Sequence, residues 1–134
     1  MLEIKSVQTK EEQKEICGLC GIDFDINCLS YAAFENNKLL GVSQFRILGE
    51  FAVIYHLSNA RKAGDVNALI TIGKATLNFI DLCGVKNVIL KAENQDLPRL
   101  LGFKKDEGGI WRVNLEGYFE AQCHSRANTG SANQ

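Results

Sequence analysis

A nearly continuous apolar run, a turn and one long helical pattern most constrain how this 134-residue chain can fold. The run EFAVIYHL, residues 50–57, lacks polar alternation and is typical of a strand covered on both faces. From Asp65 to about Cys83, apolar residues recur at helical spacing, which predicts an amphipathic helix that ends at Gly84. A second buried strand, VKNVILKAE, follows. This order predicts two parallel strands joined by a right-handed crossover.

The rest of the chain predicts an antiparallel half around this unit. LEIKSVQ alternates as a strand, a helix capped by Thr9 follows, and the turn ENNK divides a hairpin. NQDLPRLLG predicts a short helix, and Gly108-Gly109 a final hairpin. We therefore expect an α/β fold with a mixed, mostly antiparallel central sheet flanked by helices. Residues 1–122 would form one domain, and residues 123–134 a polar, disordered tail.

Charge, apolar runs and cysteine number limit the classes of partner. The formal net charge of −1 gives no reason to expect nucleic acid. No apolar run approaches the ~20 residues that span a bilayer, and the charged N-terminal segment is not a signal peptide. Five cysteines, an odd number, fit a reducing compartment. The expectation is a soluble cytoplasmic protein that binds neither nucleic acid nor membrane.

The turn SNARKAGDVNALI, residues 58–70, has features of a phosphate site. Helix N-termini offer unpaired N–H groups and a partial positive charge, which phosphates bind readily. Gly64 would let a ligand approach the backbone, and Arg61 and Lys62 would add charge. The alternative is a helix that Asp65 caps and that binds nothing.

Two motifs in this order of elements resemble the GCN5-related N-acetyltransferase (GNAT) superfamily. The pyrophosphate loop of that family is Arg/Gln-x-x-Gly-x-Gly/Ala, and the counterpart here is RKAGDV, in which Val66 replaces the last Gly/Ala. The family also has a strand ending in Asn, a short helix and Gly-Phe, as in VILKAEN followed by QDLPRLLGF. The resemblance covers roughly residues 2–119, with a shortened fourth helix.

The resemblance implies an acetyl-CoA or other acyl-CoA cofactor and transfer of its acyl group to an amine of a small molecule or a protein. A main-chain N–H near the fourth strand would polarise the thioester oxygen. Val66 and Asp65 would weaken binding relative to a full motif. The implied cofactor residues are His56, Leu57, Arg61, Lys62, Ala63, Gly64, Asp65, Val66, Asn67 and Asn94.

Candidate catalytic residues are His56 and Tyr118. His56 lies near the end of the fourth strand and could act as a base, or it could be a satisfied core residue. Tyr55 would point to the opposite face if that strand is regular. Tyr118 could approach from the last strand. Because PRLLGF lacks the family's fourth-helix Tyr acid, the alternative function is a GNAT-like binding domain without turnover.

Cysteines and aromatic residues leave further alternatives open. The CGLCG segment could bind metal together with Cys28 and the pair Cys123-His124, or its two cysteines could act as a redox pair. The cysteines could also simply pack as small hydrophobes. Trp111, Val113 and Leu115 alternate as core residues or as a subunit contact, and exposed aromatics there would favour a homodimer.

Overall fold

The computed structural model describes residues 1–61, 64–92 and 95–120, and it confirms the predicted order of elements. The expected tail lies outside these residues. The helices are α1 Lys10–Leu19, α2 Val66–Leu82 and α3 Asp96–Leu100. The strands are β1 Leu2–Ser6, β2 Leu29–Glu35, β3 Lys38–Leu48, β4 Phe51–Asn59, β5 Asn87–Leu90, β6 Lys104–Lys105 and β7 Trp111–Asn114.

The strands form one sheet in the order β1-β2-β3-β4-β5-β7-β6. β4 and β5 run parallel, with α2 as the crossover between them, and the other neighbouring pairs are antiparallel. The mixed, mostly antiparallel sheet expected from the sequence is therefore confirmed. The predicted hairpin turn is found too, since Asn36 and Asn37 have φ values of 53° and 65°.

Helices α1 and α2 cover opposite faces of the sheet. Ala32 packs with Ile16 of α1, whereas its neighbour Ala33 belongs to the core cluster that contains Ile72 of α2. Successive side chains of a strand point to opposite faces, so the two clusters lie on two sides. The larger core is under α2, because that helix carries a continuous apolar stripe.

The ends of α2 are stabilised as the sequence suggests. The Asp65 carboxylate accepts the N–H of Ala68 at 3.1 Å, and Gly84 follows the helix with φ 84°. The side-chain amide of Asn59 donates to the Asp65 carbonyl at 3.0 Å. The last residue of β4 thus fixes the position at which α2 begins.

The final hairpin is buried on the side that carries Trp111. Trp111 is 4% exposed and Leu115, just beyond β7, is 2% exposed, and both belong to the core. The core alternative for these residues is therefore confirmed. An exposed aromatic surface, which would have favoured a homodimer, is not offered by Trp111.

Among the helices of residues 1–61, 64–92 and 95–120, none is long and apolar enough to cross a membrane.

Candidate functional site

Strands β4 and β5 separate at their carboxyl ends. Their pairing runs only from Phe51 to Ile54 on β4, followed by one hydrogen bond from the Lys91 N–H to the Ile54 carbonyl at 2.9 Å. β4 nevertheless continues to Asn59, five residues beyond Ile54, the last residue of β4 that pairs with β5. Within the described residues, the backbone groups of this segment that point away from β3 have no neighbouring strand to pair with.

A β-bulge accompanies the separation. Ile54 lies opposite Phe45 and His56 lies opposite Gln44, so Tyr55 is an extra residue on β4. The strand is therefore not regular, and the condition under which Tyr55 would point to the face opposite His56 is not met. A bulge bends its strand and increases the local twist, which carries the end of β4 away from β5.

The separated strand ends open into a cavity of about 730 Å³. It is bordered by the end of β4, by the segment after β5, by α2 and α3, and by the turn that follows α1. Among the described residues, the lining consists of Cys20, Gly21, Ile22, Asp23, Tyr55, His56, Leu57, Ser58, Asn59, Leu69, Lys91, Ala92 and Leu97. Two residues predicted from the sequence, His56 and Leu57, are thus in the cavity wall.

The His56 imidazole is held by a buried amide. Its Nδ1 lies 3.1 Å from Nε2 of Gln44, whose side chain is 0% exposed. Burial lowers the pKa of His56 below its ordinary value, although the nearby carboxylates of Asp23 and Asp25 oppose this shift. The neutral imidazole is therefore favoured.

The predicted phosphate loop follows the cavity wall. Arg61 donates its N–H to the Leu19 carbonyl at 3.2 Å, and a Cβ added to Gly21 would lie 3.5 Å from Nε of Arg61. The guanidinium thus lies over Gly21, which lines the cavity. Gly64 has φ 61°, a conformation that favours glycine.

The remaining loop residues stand beside the cavity or outside the described residues. Val66 is 47% exposed, and Asn67 is exposed in the first turn of α2. Asp65 caps the helix as the alternative reading of the turn expects. Arg61, Gly64, Asp65, Val66 and Asn67 do not line the cavity within the described residues. Lys62, Ala63 and Asn94 lie outside them.

The sequence analysis let Tyr118 approach from the last strand, but in the structure Tyr118 does not lie on that strand. It follows β7 in a short helical turn, and its hydroxyl donates to the Leu101 carbonyl at 2.6 Å. Its ring packs against Phe119, with ring centroids 4.8 Å apart. Tyr118 is not among the described residues that line the cavity. Its catalytic role stays a prediction that this geometry does not support.

A second cavity of about 530 Å³ adjoins the first. It shares Tyr55, Lys91 and Ala92 with the first cavity, so the two meet where β4 and β5 separate. Its other walls are mostly apolar and include Val53 and Ile110. The Lys91 ammonium lies 5.2 Å from the centre of the Tyr55 ring at this junction. Two ligands could therefore approach one point from two sides.

The cysteines are poorly placed for metal or redox chemistry. Cys17, Cys20 and Cys28 are buried and unpaired, and burial raises their pKa values to about 11, 12 and 12. The thiolate is the form that binds metals and attacks disulfides, and it is disfavoured here. No group of three His, Cys, Asp or Glu side chains suited to a metal is found in residues 1–61, 64–92 and 95–120. Cys123 and His124 lie beyond them.

Several site residues escaped the sequence analysis. Gln44, Asp23 and Asn59 shape the cavity or its loop, but none belongs to a motif. A signal for Gln44 exists in the sequence, because Ser43 and Gln44 interrupt the apolar strand pattern LLGVSQFRIL. Polar residues in the middle of a buried strand require partners there.

Comparisons with known proteins find the same architecture. The PaiA N-acetyltransferase from Thermoplasma acidophilum, solved with coenzyme A, matches with a TM-score of 0.64, 14% identity and coverage of 84% of this chain and 97% of that one. A GNAT family acetyltransferase from Brucella melitensis, solved with acetyl-CoA, matches with a TM-score of 0.66, 12% identity and coverage of 85% and 88%.

The ribosomal-protein-S18-alanine N-acetyltransferase from Escherichia coli matches with a TM-score of 0.63, 14% identity and coverage of 85% of this chain and 90% of that one. No protein-family profile matches the chain. No curated protein matches it in sequence. These identities are low, but the folds agree over most of both chains. The chain therefore has the fold of the GNAT acetyltransferases.

Proposed function

We propose that this protein is an N-acetyltransferase that binds acetyl-CoA in the cavity between β4 and β5. One observation carries the proposal: β4 ends in a bulged segment, unpaired on the β5 side, that opens into a cavity of about 730 Å³. Proteins of the same fold from Thermoplasma acidophilum and Brucella melitensis were solved with coenzyme A and acetyl-CoA. The acyl-CoA chemistry expected from the sequence thus has a cavity of suitable size.

The pantetheine arm of the cofactor would lie along the end of β4. This arm contains two amide groups, which can pair with an exposed strand edge as a peptide does. Leu57, Leu69 and Leu97 provide apolar walls for its methylene groups.

The pyrophosphate would bind where α2 begins. The first N–H groups of a helix lack intrahelical acceptors, and the 17-residue α2 adds a partial positive charge. Gly64 keeps a side chain away from the approaching phosphates, and Arg61 lies on the path to the cavity. Asp65 and Val66 reduce the affinity through charge and bulk.

The acceptor amine would enter from the second cavity. When bound, acetyl-CoA would supply the acetyl group as a thioester. The amine nitrogen would form the amide bond as the C–S bond breaks, and the proton that the amine loses would leave with the CoA as its free thiol. The two cavities meet at Tyr55 and Lys91, where both partners of this reaction could come together. The acceptor is an amine of a small molecule or of a protein.

A cytoplasmic location and a homodimer belong to the same proposal. Buried, unpaired Cys17, Cys20 and Cys28 fit a reducing compartment. The homodimer rests on no particular surface and stays a prediction.

The alternative is a domain that binds CoA without turnover. Helix α3 has five residues, and the Tyr118 hydroxyl is engaged by the Leu101 carbonyl. A phenol that protonates the leaving thiolate is therefore not offered by α3 or by Tyr118. General acid catalysis typically contributes about 10²–10⁴-fold to a rate, so its loss would slow an acetyltransferase considerably.

Turnover distinguishes the two functions. We expect free CoA thiol to appear faster with enzyme, acetyl-CoA and an amine from a mixed panel than with enzyme and acetyl-CoA alone. A thiol-reactive chromophore measures this release, after subtraction of the protein's own cysteines. Protein unfolded by heat is the control. Cofactor binding without amine-dependent release would establish the non-catalytic alternative.

Arg61→Ala should weaken acetyl-CoA binding. An exposed charge pair contributes about 0.2–1 kcal/mol, so we expect the dissociation constant to rise by about 1.4- to 5-fold. Isothermal titration calorimetry measures this change. The matched control is Lys14→Ala, which removes an exposed cation from α1.

The fragment S-acetylpantetheine, which lacks the pyrophosphate, sharpens the test of Arg61. Its affinity should be the same for the wild type and Arg61→Ala. An equal loss of affinity for the fragment and the whole cofactor would contradict the placement of Arg61 at the phosphates.

A further inference from the structure

The fully buried amide of Gln44 makes four hydrogen bonds that fix its orientation. Its oxygen accepts from Nε2 of Gln13 at 2.9 Å and from the backbone N–H of Asp25 at 3.0 Å. Its nitrogen donates to the Asp23 carbonyl at 2.7 Å and lies 3.1 Å from Nδ1 of His56. A backbone N–H only donates and a carbonyl only accepts, so the amide cannot be turned over. Gln44 therefore presents its NH₂ group to the imidazole.

The hydrogen bonds behind Gln44 are ordered in the same donor-to-acceptor direction. The Lys10 ammonium, which can only donate, lies 3.0 Å from Oε1 of Gln13. Nε2 of Gln13 donates to the Asp25 carbonyl at 3.3 Å as well as to Gln44. Donors thus follow one another from the ammonium to the imidazole. Each bond in such a chain supports the polarity of the next.

Nδ1 of His56 must accept the hydrogen bond at the end of this chain. An imidazole that accepts at Nδ1 carries its proton on Nε2 when it is neutral. The imidazolium would instead place an N–H group against the NH₂ group of Gln44. No hydrogen bond from Nε2 is found within the described residues, and His56 lines the cavity.

We propose that Gln44 is a positioning residue that holds His56 as the neutral Nε2–H tautomer, so that His56 offers a hydrogen-bond donor, not a base, to an acyl oxygen in the cavity. The identity of the oxygen rests on the proposed acetyltransferase function; the tautomer does not. A base would need a lone pair on Nε2, which this tautomer lacks. The hydrogen-bond network therefore argues against the base role considered from the sequence.

Nearby charges and burial act on the imidazole in opposite directions. Asp23 and Asp25, from the segment between α1 and β2, favour the imidazolium, whereas burial disfavours it. Lys91, from the segment after β5, lines the same cavity. The hydrogen-bond geometry and the burial of the ring agree on the neutral form.

Nuclear magnetic resonance of the ¹⁵N-labelled full chain tests the tautomer without any ligand. At pH 7 the long-range ¹H–¹⁵N correlations of His56 should show a protonated Nε2 and an unprotonated Nδ1. The His56→Gln variant assigns the signals, because the chain has a second histidine, His124. A protonated Nδ1 in the wild type, as tautomer or imidazolium, would overturn the proposal.

Gln44→Glu replaces the hydrogen-bond donor that faces Nδ1 of His56 with an acceptor. A carboxylate only accepts, so Nδ1 of His56 must then donate, and the pKa of His56 should rise relative to the wild type. An unchanged tautomer and pKa in a folded variant would show that Gln44 does not position the ring. If the variant fails to fold, the wild-type spectrum still decides the tautomer.

Two substitutions of His56 separate a donor from a base in turnover. Loss of one preorganised donor costs about 10²–10³-fold in kcat, which we expect for His56→Ala. Glutamine places an N–H₂ group near the position of Nε2 but cannot act as a base, so His56→Gln should recover at least about tenfold of that loss. Equal rates for the two variants would contradict the donor role. Absence of turnover in the wild type would remove the acetyltransferase proposal and leave the tautomer result standing.

Discussion

Phe45→Ala is expected to lower the free energy of unfolding by about 3–5 kcal/mol. Phe45 is 1% exposed, and its ring centroid lies 6.1 Å from that of Tyr31 and 5.8 Å from that of Phe79. Truncation removes buried apolar surface and leaves a cavity that two fixed rings cannot fill. Urea denaturation followed by circular dichroism measures the loss as a lower midpoint at an unchanged slope.

Phe51→Ala is the matched control for this prediction. Phe51 begins β4 and is 41% exposed, so the same chemical change should cost less than about 1.5 kcal/mol. Equal losses for the two variants would mean that the three rings do not form the tight cluster described. Phe45 also lies opposite Ile54, the residue that precedes the bulge at Tyr55. The Phe45→Ala variant should therefore bind acetyl-CoA more weakly.

Gly41→Ala is expected to destabilise the protein by about 1–3 kcal/mol through overpacking. A Cβ at this position would lie 2.9 Å from the Ser58 carbonyl oxygen and 3.0 Å from Cδ2 of Leu69. The first contact is with backbone that is paired in the sheet, so relief would require β3 and β4 to move apart. Since Ser58 and Leu69 both line the cavity, acetyl-CoA affinity should fall together with stability.

Gly18→Ala is the control for added volume. Gly18 lies in α1, and a Cβ there would have no atom within 4 Å. Alanine is the better helix former by up to about 1 kcal/mol, so this variant should be as stable as the wild type or more so. Thermal unfolding of both variants provides the comparison. A destabilising Gly18→Ala or a neutral Gly41→Ala would contradict the packing described.

The fold could be predicted because its signals are local and periodic. The 17-residue α2 carries an apolar stripe, a capping Asp65 and a terminal Gly84, and each is visible in the sequence. The turn at Asn36-Asn37 and the short length of α3 could also be predicted from the sequence. The parallel β4–β5 pair then followed from the general handedness and length of such crossovers.

The candidate site was less accessible, because its geometry depends on register and on distant partners. One extra residue at Tyr55 separates the two strands, and no local pattern distinguishes a bulge from a regular strand. Gln44 meets Gln13 from 31 residues away, and the tautomer proposed for His56 depends on this contact and on the backbone of Asp23 and Asp25. Tyr118 was a candidate site residue in the sequence, but its hydroxyl donates to the Leu101 carbonyl and does not line the cavity within the described residues.

Calorimetric titration with acetyl-CoA tests the central claim, that the cavity between β4 and β5 binds this cofactor. Ser58 lines the cavity and is paired with Val42 on the neighbouring strand β3. Ser58→Trp should therefore fill the cavity, whereas Ser58→Ala should leave it open. We expect one cofactor per chain in the wild type, with a dissociation constant on the order of 1 μM–1 mM, as is usual for enzyme substrates. Ser58→Ala should behave like the wild type, and folded Ser58→Trp should give no heat of binding. Absence of both heat and a thermal shift in the wild type at millimolar acetyl-CoA, or equal binding by Ser58→Trp, would contradict the account.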